Sequence, residues 1–171
     1  TEQTSGIEGA GPFAVSSDGT RLATAAGRQF PPESRGGVRI LDTSTCMELR
    51  LLAGASAPMA FSPDGKTLAT DTEAGIALWP LEGATNAVVL EDSTNGFVRG
   101  GGPGFMSDRA LAFSPDGRFV VAARNTLSER GVFILSIWDA KTGKEVADMP
   151  DDPGHIEHTG IITCLAFSPD G

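Results

Sequence analysis

The sequence predicts an all-β radial repeat, an arc of short four-stranded antiparallel units, on three observations. One turn sequence recurs along the chain, it recurs at a near-constant interval, and glycine and proline separate short apolar runs that have strand rather than helix periodicity. Ala60-Phe61-Ser62-Pro63-Asp64-Gly65 returns as Ala112-Phe113-Ser114-Pro115-Asp116-Gly117 and as Ala166-Phe167-Ser168-Pro169-Asp170-Gly171, with a weaker copy at Val15-Ser16-Ser17-Asp18-Gly19. The turn aspartates Asp18, Asp64, Asp116 and Asp170 stand 46, 52 and 54 residues apart. Repeats of that size each carry one supersecondary unit and bury their cores by stacking on their neighbours. A sandwich of irregular hairpins would have no reason to reuse one turn at such intervals.

Each unit reads as four strands. The innermost strands are Phe13 to Ser16, Met59 to Ser62, Leu111 to Ser114 and Cys164 to Ser168, each running into the repeated turn. In that turn Pro presets φ, Asp bonds the backbone two residues on, and Gly65 and Gly117 take the left-handed conformation. Second strands follow at Arg21 to Ala26, Lys66 to Asp71 and Arg118 to Arg124, and third strands at Val38 to Asp42, Ile76 to Trp79 and Val132 to Asp139. Fourth strands fall at about Met47 to Leu52, Ala87 to Glu91 and Glu145 to Met149. The blade units are therefore 10–54, 55–106 and 107–158, with the start of another at 159–171. Four strands per repeat, with 22 glycines and 11 prolines at the punctuation points, describe a β-propeller.

Composition bounds the partners. The 171 residues are 40% hydrophobic and 20% charged, in the range of globular domains. The net charge is -9, with 13 basic and 22 acidic residues. No Lys/Arg stripe is present to displace counterions from phosphates, so nucleic acid is not an expected partner. No apolar run approaches the ~20 residues that span a bilayer. Cys46 and Cys164 read as buried free thiols rather than a disulfide pair, compatible with a reducing, cytoplasmic setting. The chain begins at Thr1 without a methionine and stops at Gly171 inside the repeated motif, so both ends read as cuts in a longer polypeptide.

Trp138-Asp139-Ala140-Lys141-Thr142-Gly143-Lys144-Glu145-Val146 and His158-Thr159-Gly160-Ile161-Ile162-Thr163-Cys164 resemble the WD-repeat β-propellers, in a degenerate, bacterial-type form. The resemblance implies that Trp79, Trp138, Asp139 and His158 are structural, beside Asp64, Gly65, Asp116 and Gly117 of the turns. In that family a blade is tied by Trp, a Ser/Thr of the second strand, an Asp before the third strand and a His leading into the innermost strand. This chain departs from the pattern. The Trp position holds Leu41, Trp79 and Trp138, and the following position Asp42, Pro80 and Asp139. Glu73 stands at the turn Asp of the second unit, and Leu52 and Gly104 at the His positions. The blades are thus expected to cohere by apolar packing and sheet pairing, with only the third a full Trp-Asp match. Tol-type periplasmic propellers and those preceding prolyl peptidases share the Ser-Pro-Asp-Gly turn but lack the Trp-Asp and His-Thr-Gly features.

Strand alternation sorts the connections onto two rims. First-to-second and third-to-fourth turns share one end and are short. Second-to-third loops and inter-blade links share the other, and there the long insertions fall: Gly27 to Gly36, Asp92 to Asp108, Asn125 to Arg130 and Pro150 to Glu157. Loops on a rigid scaffold carry recognition. The candidate partner-binding residues are Arg28, Phe30, Arg35, Phe97, Arg99, Phe105, Arg124 and Arg130, aromatics beside arginines as in interface hot spots.

Chemistry is not indicated. Gly100-Gly101-Gly102-Pro103-Gly104 lacks the Lys-Ser/Thr and helix of a phosphate loop. Asp151, Asp152, His155 and His158 fit no established metal spacing, and no Ser or Cys stands in a nucleophile elbow. No catalytic, cofactor or metal residue is assigned. The leading expectation is a non-enzymatic scaffold that binds protein through the loop rim. The alternatives are a sensor domain of a larger effector such as a kinase, and a propeller with a ligand site in its central channel. Three units and one further strand fall short of the ~4–8 blades of a closed ring, so further blades, from the same chain or another subunit, are expected.

Overall fold

The computed structural model describes residues 12–25, 36–72, 74–83, 86–90, 110–125, 133–150 and 164–170. Among them every regular element is a strand. The first unit holds β1 Phe13–Val15, β2 Arg21–Ala25, β3 Gly37–Asp42 and β4 Glu48–Ala53; the second holds β5 Ala55–Phe61, β6 Thr67–Thr72, β7 Gly75–Pro80 and β8 Val88–Val89. The third holds β9 Leu111–Phe113, β10 Phe119–Asn125, β11 Phe133–Asp139 and β12 Glu145–Pro150. Each unit is one four-stranded sheet with its strands in chain order, and neighbours pair antiparallel.

These are the predicted blades, with most boundaries moved by a residue. β5 differs more, beginning at Ala55 instead of Met59, because Gly54 alone joins it to β4. Its ladder with β6 steps in register between Ser56 and Met59, where Pro58 has no N–H to give. β8 keeps only Val88–Val89 of the expected run, although its ladder extends to the Leu90 N–H, which donates to the Ile76 carbonyl at 2.9 Å. Residues 164–168 have no strand assignment. A strand is defined by its ladder, and no pairing partner stands beside them among the described residues.

Alternation along the strands gives each sheet two faces, and the blades stack through them. Ala23, Val38, Ile40 and Leu52 of the first sheet pack on Ala55 and Leu68 of the second, with Phe61 and Trp79 closing that core. Ala69, Leu78 and Leu90 of the second pack on Leu111, Val120, Ala122 and Trp138 of the third. The tryptophan-bearing face of a blade thus meets the blade before it. Burying one such large side chain contributes about 1.5–3 kcal/mol, and Trp138 is 1% exposed. On the first sheet the corresponding face carries Phe13 and Val15, at 70% and 50% exposure.

The two cysteines correct an expectation. Both are exposed, not buried. Cys46 lies in the turn between β3 and β4 and not in a strand, and Cys164 lies in the unpaired segment, so neither faces a core.

Candidate functional site

The repeated turn is held by its serine as much as by the residues that usually define such turns. In each described copy the glycine N–H donates to the serine carbonyl at 2.8 Å: Gly19 to Ser16, Gly65 to Ser62 and Gly117 to Ser114. The serine hydroxyl donates at 2.6 Å to Oδ1 of Asp18, Asp64 or Asp116. It also accepts, at 2.9 Å, the N–H of Arg21, Thr67 or Phe119 five residues on. The aspartate accepts the N–H two residues on, at 3.0 Å. The weak first copy, with Ser17 where the others have proline, adopts the same geometry, so the turn forms without proline, and Ser, Asp and Gly are what the three copies share. Sequence reasoning missed the serine because its acceptor role depends on a residue in the next strand.

Those bonds set the aspartate charges. The Ser16 hydroxyl, with the Thr20 N–H, holds Asp18 down to about 2. The Ser62 and Ser114 hydroxyls likewise keep Asp64 and Asp116 below the ordinary carboxylate range, since bonds donated to the ionised form favour it. Each of these turns therefore carries an ionised carboxylate at neutral pH, with Arg21, Lys66 or Arg118 close by.

The Asp of the Trp-Asp pair does similar work one turn away. Asp139 Oδ1 accepts the N–H of Thr142 at 2.8 Å and that of Lys141 at 3.1 Å, which holds its pKa low. Asp42 takes the N–H groups of Ser44 and Thr45 in the same way; the Ser44 hydroxyl is the largest of the bonds that lower its pKa to about 2. The turns then diverge at one position. Gly143 has φ +71°, while its counterpart Cys46 is forced to φ 57°, a conformation that costs a side-chain-bearing residue free energy.

Part of the polar network that the WD-repeat resemblance implies is present in the second blade, beside the apolar packing expected to be the main tie. Trp79 Nε1 donates to Thr70 Oγ1 at 2.8 Å. By register, Thr24 and Ala122 occupy the Thr70 position in the other two blades. The first blade thus has the threonine but Leu41, and the third has Trp138 but an alanine. The blade with Pro80 in place of the signature Asp is the one in which Trp and Thr meet. Leu52, at the His position, is 1% exposed and belongs to the apolar core; Glu73 and Gly104 lie outside the described residues.

Successive turns stack on one rim. A Cβ built on Gly65 would stand 3.6 Å from Cβ of Ser16, and one on Gly117 would stand 3.5 Å from Cδ of Pro63. The Ser17 hydroxyl donates to the Pro63 carbonyl at 2.5 Å. The strand ends Ala25 and Gly37, Asn125 and Phe133, and Pro150 lie at the other end of their sheets, and the long insertions leave from them. Of the candidate binding residues, Arg28, Phe30, Arg35, Phe97, Arg99, Phe105 and Arg130 lie outside the described residues, as does His158. Arg124 has its backbone in β10, opposite Ile134. Trp79 lies in β7 and Trp138 and Asp139 in β11, while Asp64, Gly65, Asp116 and Gly117 lie in the turns that follow β5 and β9. Among the described residues no three His, Cys, Asp or Glu side chains converge as a metal site requires, and no helix is long and apolar enough to cross a membrane.

The family model described as WD domain, G-beta repeat, matches residues 152–171. The chain is similar in structure to hydrazine synthase of Kuenenia stuttgartiensis, with a TM-score of 0.57 and 20% identity over 82% of this chain and 36% of that one. It is similar to the β-propeller domain of the Trilobed protease from Pyrococcus furiosus, with a TM-score of 0.56 and 16% identity over 84% of this chain and 42% of that one. It is also similar to an acylaminoacyl peptidase of Pyrococcus horikoshii, with a TM-score of 0.55 and 12% identity over 79% of this chain and 24% of that one. The chain thus spans less than half the length of these solved chains. At such identities the likeness shows the fold, which is that of a β-propeller. The repeat match adds a WD-type repeat at residues 152–171 to that fold.

Proposed function

We propose that this chain is a non-enzymatic propeller segment that binds protein partners through the rim bearing its long insertions. The observation that carries the reading is the division of the two ends. One end is bound up in repeated Ser-Asp-Gly turns that lean on each other. From the opposite end leave the long insertions Gly27 to Gly36, Asp92 to Asp108, Asn125 to Arg130 and Pro150 to Glu157, which hold Phe30, Phe97 and Phe105 among Arg28, Arg35, Arg99 and Arg130. A rigid framework with variable loops on one side is the usual arrangement for recognition. The exposed Phe13 and Val15 lie on the face through which the other two blades bind their predecessors. This supports a further blade, from the same chain or another subunit, packing there.

Alanine at Phe97, Arg99 and Phe105 together tests the reading. Retention of bound protein in a pull-down should fall by about tenfold or more, the loss of one or two hot-spot contacts. Undiminished capture would refute the rim assignment. A second reading, the regulatory propeller of a larger effector, is favoured by the neighbours described as a protease and a peptidase. A catalytic domain encoded next to this segment would promote it.

A further inference from the structure

A cleft of about 300 Å³ opens between the second and third blades on the turn rim. It is the counterpart, position by position, of a place between the first and second blades that is filled. There Arg21 lies across the junction with its side chain only 26% exposed. Its Nη1 donates to the Gly65 carbonyl at 2.8 Å, and its Nη2 stands 3.8 Å from Glu82. The Ser17 to Pro63 bond closes the same junction.

Five residues beyond the turn serine, where the first blade has Arg21, the second has Thr67, which lines the open cleft. The acceptor carbonyl of Gly65 has Gly117 as its counterpart, and no described side chain donates to it. Pro63 replaces the bridging Ser17, and Ala140 replaces the larger Leu81. Each substitution removes a group that fills the first junction. The volume is at the small end of the ~300–1,000 Å³ of ligand pockets, room for one long side chain and not for a large cofactor.

The geometry points to a docking site for an arginine side chain of a partner, which would enter between the blades as Arg21 does from within the chain. The Gly117 carbonyl would accept its guanidinium, and Asp64 and Asp116, both on the cleft wall and both ionised at neutral pH, supply the opposing charge. A guanidinium fits such a ring of fixed acceptors better than an ammonium does. One change sets a second requirement: Glu82, which faces Arg21, is replaced by Lys141. The partner arginine must therefore bring a neighbouring carboxylate for Lys141, so the recognised feature is an Arg beside an Asp or Glu. This site lies on the opposite rim from the proposed loop interface and does not depend on it.

Amide NMR on the intact protein, titrated with acetyl-Arg-Asp-amide, tests the site. Saturable shifts are expected at Thr67, Gly117 and Lys141, with affinity about tenfold above that of the citrulline analogue, which keeps the shape and loses the charge. Thr67→Arg should fill the cleft from within and abolish the shifts. Lys141→Glu, an exposed change that leaves the framework alone, should remove the advantage of the dipeptide and strengthen binding of acetyl-Arg-amide about fivefold. Equal response to arginine and citrulline overturns the proposal. So does a Lys141→Glu protein whose preference is unchanged, or shifts that spread over the first junction as strongly as the second.

Discussion

The turn serine is a small residue with a large share of the local structure. Ser62 is 7% exposed and Ser114 is 3% exposed, and each hydroxyl satisfies a strand N–H and an aspartate together. Ser114→Ala leaves the Phe119 N–H and Asp116 without that partner and is expected to cost about 1–3 kcal/mol, read as a lower urea midpoint at unchanged slope. Cys46 offers the opposite change. Cys46→Gly relieves the positive φ that Gly143 adopts without strain, and should stabilise by about 1 kcal/mol in thermal unfolding. The aspartates give the pH dependence. The folded values of Asp18 and Asp42, about 2, lie below the ordinary 3.8, so their stabilising contribution is complete above that value and is lost as pH falls toward 2. Denaturant midpoints should be flat near neutrality and drop through this acid window; a midpoint that rises on acidification would contradict the assigned bonds.

At the scale of the blade, the period, the strand order and the two rims were legible in the sequence, because each follows from turn chemistry and alternation. The internal ties were less so. Pro80 made the second unit look like the poorer copy, yet its Trp79 finds Thr70, a partnership set by register across two strands. A double-mutant cycle with Trp79→Phe and Thr70→Val should show a coupling of about 1 kcal/mol, as for a single buried hydrogen bond. No coupling would mean that the pair only packs. The cleft was equally hidden. Arg21, Thr67 and Phe119 fall at one strand position that periodicity treats as equivalent, and only the side chain lying across the junction, or its absence, distinguishes a sealed interface from an open one. Cys46 was misread because nearness to a strand says nothing about facing a core.

For the whole molecule, the repeats make stability a sum of blades and junctions, and they assign different work to the two rims. The uniform rim holds the blades in register through stacked turns, leaving one junction unfilled. The opposite rim, from which the irregular insertions leave, is the one we propose for partner binding. Hydrogen exchange on the chain bound to a captured protein partner measures this division most directly. The account predicts new protection in 91–109 and 126–132, with exchange in the Ser-Asp-Gly turn of the first blade unchanged; protection confined to the turns, with the insertions exchanging as before, would contradict it.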